Sequence, residues 1–221
     1  MDIPVLYKDA SLIVCVKPAG VDSETGMPAL VKAQTGAREA LCVHRLDRDV
    51  GGVMVYALDR RAAAALSREL AAGGFEKEYL AVVHGTMEAD EARLRDLLFH
   101  DRAKNKSFVV SRPRAGVKEA VLDYRVLRER EECSLLAVRL HTGRSHQIRV
   151  QLASRRHPLL GDAKYGSPRR DCAIALFSHL LGFHHPKTGE ALRFSSPPPE
   201  GFPWSMFETI YYGGKQCDTS K

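Results

Sequence analysis

The sequence predicts an α+β domain built on a mostly antiparallel sheet. Apolar runs of strand length outnumber stretches with helical period. The strand-like runs come in groups instead of alternating strictly with helices, which argues against a parallel βαβ design. No internal repeat of fixed period and no low-complexity block is present.

Residues 5–7 and 12–17 read as two short strands separated by Lys8-Asp9-Ala10-Ser11, which has turn chemistry. Pro18-Ala19-Gly20 ends the second. Residues 28–40 are ambiguous, with a short helix as one reading. Residues 41–46 run into a polar turn, and 52–58 form an apolar strand. Asp59 suits the N-cap of a helix over 60–72, which Gly73-Gly74 stops. A strand follows at 78–84, then a polar, mixed stretch at 86–105. Further strands are expected at 107–111, 119–127 and 134–141. The period then changes, and 144–156 reads as a helix starting near Thr142 or Gly143 and closed by Pro158. Ile148 and Leu152 share one of its faces; His146, Arg149 and Val150 lie on another. Strands near 175–183 and 190–194 precede Pro197-Pro198-Pro199. The domain is expected to span 1–212, with a frayed polar tail at 213–221.

The 221 residues suffice for one substantial core, and 44% hydrophobic content sets aside intrinsic disorder. The formal charge of +6 and pI of about 9.1 are compatible with a polyanionic partner without requiring one. The cysteines Cys15, Cys42, Cys133, Cys172 and Cys217 are odd in number and form no C-x-x-C pair. That argues against a disulfide framework or zinc knuckle and fits a reducing compartment. The opening residues carry no basic segment followed by a long apolar run, and no run approaches the roughly 18 residues of a membrane span. A cytoplasmic protein is expected.

Three clusters can carry chemistry. His44-Arg45-Leu46-Asp47-Arg48-Asp49 is a polar turn opening into a strand. Its arginines can keep a partly buried Asp ionised, but a solvated turn with local ion pairs fits equally well. His141-Thr142-Gly143-Arg144-Ser145-His146-Gln147-Ile148-Arg149 gathers donors at an expected helix start, where phosphate binding and a merely basic face both fit. Tyr79, entering a strand, can stack on a base and handle a proton, or simply fill a core. His179, His184 and His185 form no H-E-x-x-H and have no cysteine pair beside them, so no metal site is expected.

Taken in order, VLYKDASLIVCVKPAG, HRLDRDVGG, FEKEYLAVVHG, and HTGRSHQIRVQLA followed by HPLLGDAKYG resemble the motifs of the RluA family of RNA pseudouridine synthases. The likeness runs from about Val5 to Pro199. It implies the pseudouridine synthase fold: a mixed, mainly antiparallel central sheet with flanking helices and a central cleft. It implies catalytic roles for Asp47, Tyr79 and Arg149, and RNA contacts from His44, Arg45, Arg144, His146 and Gln147. It implies no cofactor and no metal. The implied partner is structured ribosomal or transfer RNA, with neither DNA nor a membrane, and the implied state is a monomer. Many relatives carry a small N-terminal RNA-binding domain, which is not expected here.

Two departures stand out. The family signature usually has Thr-Ser where this chain has Val50-Gly51, and Gln151 replaces a common His. The first leaves the carboxylate in place but removes two hydroxyls from the turn. The implied chemistry breaks the uridine glycosidic bond, turns the uracil over and joins its C5 to the same sugar carbon. Asp47 either attacks C1′ or assists a glycal. The nucleotide flips out first, with Arg45 filling the vacated stack. Two other functions remain open on the residues alone: a glycosidase releasing free base, and an RNA-binding factor with a vestigial cleft.

Overall fold

In a computed structural model of the chain, residues 2–207 are described. The expected tail, Cys217 and the end of the expected 1–212 domain lie outside the described residues. Strands β1 (Val5–Lys8) and β2 (Leu12–Lys17) pair antiparallel. Asp9 turns the chain between them, its Oδ1 accepting from the amides of Ser11 and Leu12 at 2.7 and 2.8 Å. Helix α1 (Gly26–Thr35) answers the ambiguity at 28–40; Pro28 sits in its first turn, where no intrahelical amide is needed. Left-handed Gly36 stops it. Next come β3 (Leu41–Cys42), β4 (Gly51–Ala57) and α2 (Arg60–Ala71), with the Asp59 carboxylate accepting from Ala62 N at 2.8 Å as expected of an N-cap.

The long strands β5 (Glu76–His84), β6 (Glu91–Asp101), β7 (Lys106–Val110), β8 (Val117–Arg130) and β9 (Cys133–Leu140) follow. After α3 (Gln147–Ala153), β10 (Leu176–His184) and β11 (Ala191–Ser195) complete the sheet. Among the described residues eleven strands form one sheet, with β1-β2-β4-β10-β5-β9-β8-β6-β7 in order, β11 on β10 and β3 on β4. Every pairing is antiparallel except β4 with β10.

Along β2 and β4 both faces are buried. Ile13, Cys15, Met54 and Tyr56 pack with α1 and α3, while Leu12, Val14, Val53 and Val55 pack with Ala62 and Leu66 of α2. This alternation on a two-sided sheet explains why the sequence reads there as continuous apolar runs.

Two expectations change. The polar stretch 86–105 contains β6, whose outward Arg93 and Arg95 pair across to β8 with Asp123 and Glu119 at 2.7 and 2.6 Å. Its charge is one face of a strand, with Leu94 and Leu98 buried on the other. The helix expected over 144–156 is the seven-residue α3. Left-handed His146, at φ 55°, is its N-cap, the C-cap is Ser154, and every residue from Gln147 to Leu152 is buried. Arg144 and His146 therefore precede the helix, and its two-faced reading gives way to a helix enclosed on all sides. Among the described residues no helix is long and apolar enough to cross a membrane.

Candidate active site

The turn between β3 and β4 is held from inside. Leu46 is buried, and its amide and carbonyl both bond the Ser23 hydroxyl, at 3.2 and 2.9 Å. The Lys17 ammonium, buried beneath, donates to the carbonyls of Pro18, Val21 and Arg48 at 3.0, 2.6 and 2.9 Å. Burial lowers the Lys17 pKa to about 8, against the charges of Asp49, Asp22 and Asp47. The amide of Val50 donates to Asp47 O at 3.0 Å and closes the turn. Val50 itself is buried in the core, and a Cβ on Gly51 would lie 3.1 Å from Lys17 O. Core packing and close backbone approach thus occupy the positions where the family usually has hydroxyls. Gly52, at φ 129°, is tighter still: a Cβ would stand 2.3 Å from Ser178 O on β10.

The turn leaves the Asp47 side chain 26% exposed in a cleft. Nη1 of Arg149 donates to its Oδ2 at 2.8 Å, across 102 residues of sequence. The same guanidinium donates from Nε and Nη2 to Oδ2 and Oδ1 of Asp162 at 2.7 and 2.9 Å. Asp162 is fully buried. Burial opposes the charge on Arg149, but the carboxylates of Asp162 and Asp47 outweigh it and raise its pKa. Asp162 was not among the expected site residues. A hint lay within HPLLGDAKYG: a buried guanidinium calls for a carboxylate in bidentate reach.

Tyr79 of β5 lies opposite Ser178 of β10 in register and lines the same cleft. Burial and the nearby Asp47 charge raise its pKa, with a hydrogen bond from Ser178 partly opposing them, so the phenol keeps its proton. His146 places Nε2 3.8 Å from Asp47 Oδ2 and Nδ1 2.9 Å from Tyr165 Oη. Gln147 turns inward: its Oε1 accepts from Thr142 Oγ1 and Arg144 N, and its Nε2 donates to Val121 O. His44 is a buried brace whose Nε2 accepts from Val55 N at 3.2 Å. Burial, with Lys77 adding its charge, pulls the His44 pKa to about 3. Arg45 is exposed on the rim, 3.0 Å from Glu24, and Arg144 donates from Nε to Glu119 O at 2.8 Å.

All eight expected residues line one open cleft of about 1520 Å³, together with Lys77 and Lys164. The volume exceeds the roughly 300–1,000 Å³ of small-molecule pockets and suits a nucleotide with its flanking chain. The arrangement divides the expected residues. Asp47 pairs with Arg149 and has His146 beside it, Tyr79 lines the same cleft, and Arg45 and Arg144 stand at the rim, whereas Gln147 and His44 are spent on internal bonds.

A family model described as RNA pseudouridylate synthase matches residues 11–154. Ribosomal large subunit pseudouridine synthase D of Xanthomonas campestris is 37% identical over 228 residues, covering 90% of this chain and 67% of that protein. YlyB of Bacillus subtilis, named an uncharacterized RNA pseudouridine synthase, is 32% identical over 217 residues, covering 90% and 70%. Among solved structures, human RNA pseudouridylate synthase domain containing 1 matches with a TM-score of 0.79 at 21% identity, over 90% of this chain and 84% of its own. Human RNA pseudouridylate synthase domain containing 4 matches with a TM-score of 0.76 at 24% identity, over 89% of each. These two carry the fold, and the sequence matches carry the family. The chain belongs to the RNA pseudouridylate synthases, a family of isomerases, and its catalytic domain is of the RluA type.

Proposed function

We propose that this chain converts uridines of ribosomal RNA into pseudouridine, with Asp47 as the group that acts on the ribose. The observation behind this is the 2.8 Å bond from Arg149 to Asp47 inside a cleft that also holds Tyr79. A carboxylate facing a polyanion hinders binding, so its presence at the centre of a basic cleft favours chemistry over a passive RNA-binding role. The names of the Xanthomonas relative and its like favour the large ribosomal subunit over transfer RNA as target.

The target uridine leaves its stack and enters the cleft, a step costing a few kcal/mol. Arg45, exposed beside the turn, fills the space it vacates. Arg144 and neighbouring cations hold phosphates, which position the RNA without reading its sequence. Asp47, paired with Arg149, engages the sugar, and Tyr79 stacks on the freed uracil and takes part in removing its C5 proton. The proposed reaction needs no cofactor, and the proposed enzyme is a cytoplasmic monomer.

A site-resolved pseudouridine map of total RNA from cells with and without the protein tests this. Loss of pseudouridine at one or a few large-subunit positions is the expected result; loss in transfer RNA alone would move the target. Purified protein with chelator present should leave RNA mass unchanged while forming pseudouridine. Release of free uracil would make the enzyme a glycosidase.

A further inference from the structure

The three N–H groups of Arg149 that bond here serve Asp162 and Asp47. Two of these bonds tie the guanidinium to Asp162, and the cleft places a second, uncharged donor beside Asp47. Tyr165 Oη accepts the amide of Ser107 at 2.8 Å and lies 2.9 Å from His146 Nδ1. A phenol has one hydrogen to donate, and we assign it to Nδ1, 2.9 Å away. The ring then carries its own hydrogen on Nε2, the nitrogen 3.8 Å from Asp47 Oδ2.

The ring is fixed in this pose. Left-handed backbone at His146 aims it, and Tyr165 and His100 pack edge-on against it with centroids at 5.7 and 5.9 Å. Burial keeps it neutral near pH 7, with the pKa pulled down to about 4. Asp47 opposes the shift, while Arg149, Lys164 and His100 reinforce it.

We propose that His146 donates its Nε2 hydrogen bond to a carbonyl oxygen of the uracil as it leaves the ribose, with Tyr165 as the positioning residue that fixes the tautomer. The inference rests on the isomerase reading of the same cleft. The N1–C1′ bond breaks and its electron pair goes to the uracil. An oxygen of Asp47 bonds C1′, or Asp47 takes the C2′ proton on the glycal route. Either way one negative charge passes from Asp47 to the base, where O2 and O4 share it. A neutral imidazole stabilises that anion without protonating it, so C5 stays nucleophilic. C5 then bonds C1′ as the Asp47 carboxylate is released from C1′ or, on the glycal route, the Asp47 acid returns its proton to C2′, and one proton is lost from C5 while N1 gains one.

The test compares single-turnover consumption of uridine and of 5-fluorouridine at the same RNA position. Fluorine stabilises the departing anion, so the fluorinated base needs the donor less. His146→Leu should lose about 100-fold on uridine and roughly tenfold or less on 5-fluorouridine. His146→Gln, which keeps an N–H donor, should fall between wild type and Leu on uridine. Tyr165→Phe keeps the ring over Arg149 and should show the same selective loss at smaller amplitude. Equal losses on both substrates would overturn the proposal and leave His146 a packing residue. Should the Leu variant fail to fold, the Tyr165→Phe comparison decides by the same criterion. A wild-type protein that forms no pseudouridine would instead overturn the isomerase reading itself.

Discussion

Asp162 grips Arg149 from behind through two parallel bonds, of 2.7 and 2.9 Å, and leaves Nη1 directed at Asp47. The position of the proposed catalytic ion pair is thus set by a fully buried carboxylate.

Breaking that grip should cost more than activity. Arg149→Met leaves Asp162 as a buried charge without its partner, and about 3–5 kcal/mol of stability should be lost in a urea melt. The double variant Arg149→Met/Asp162→Leu should recover much of this while staying inactive. Asp162→Asn should fold, yet lower single-turnover rate on the order of 100-fold through misplacement of the guanidinium. A double variant no more stable than Arg149→Met would show that the pair does not govern folding.

Asp47→Asn should abolish turnover and leave most RNA affinity in place, because affinity comes chiefly from Lys and Arg contacts to phosphate. Binding isotherms and product assays on the same folded preparation check this. Near-normal turnover would assign the chemistry to another group.

Tyr79→Phe preserves the ring and its stacking but removes the hydroxyl. Burial and Asp47 keep that hydroxyl protonated in the free enzyme, so its contribution should appear after the uracil detaches. Rapid-quench analysis should show uridine consumed faster than pseudouridine is formed. Full activity would reduce Tyr79 to a stacking platform.

Arg144 should contribute to salt dependence. The slope of log K against log salt is about 0.7 per phosphate neutralised on single-stranded segments. Arg144→Ala should make it shallower by somewhat less than one unit. An unchanged slope removes Arg144 from the phosphate contacts.

Acid should destabilise the fold through buried histidines. His44 and His146 have native pKa values of about 3 and about 4, against an ordinary value of 6.5. Above pH 6.5 neither state binds the extra proton, and their contribution to stability is fully present. As pH falls below 6.5 the unfolded chain takes up protons first, so stability declines until the native values are reached. The slope approaches about 1.4 kcal/mol per pH unit for each group. Urea midpoints between pH 7 and pH 4 should fall less steeply in His44→Gln, which keeps an acceptor for Val55 N. An identical decline would place the effect elsewhere.

The residues of the active site differ in how far the sequence revealed them. Asp47, Tyr79 and Arg149 lie in contiguous motifs whose resemblance names them. Asp162 and Tyr165 act through other side chains, and Lys17 and Ser23 act through backbone carbonyls and amides. Although Asp162, Tyr165 and Lys17 lie within the family-like motifs, their supporting roles depend on contacts far away in sequence, which no local pattern displays. His146 and Gln147 were legible as polar groups near the site, but not the inward turn of Gln147, because the left-handed residue that shortens α3 is a histidine rather than a glycine. The sheet was readable where both faces are apolar, as in β2 and β4. It was hidden in β6, where cross-strand ion pairs give one face the composition of a loop.

The parallel seam between β4 and β10 also sets a timetable. Strand β10 inserts between β4 and β5, although more than a hundred residues of chain separate Gly52 from its partner Ser178. A ribosome therefore exposes the Asp47 turn long before the strand that seats Gly52 against Ser178 has been made. Until residues 176–184 emerge, the centre of the sheet is open and β4 and β5 present unpaired edges. The growing chain thus completes its sheet only once β10 has been made, and its aggregation hazard is concentrated in the interval before that.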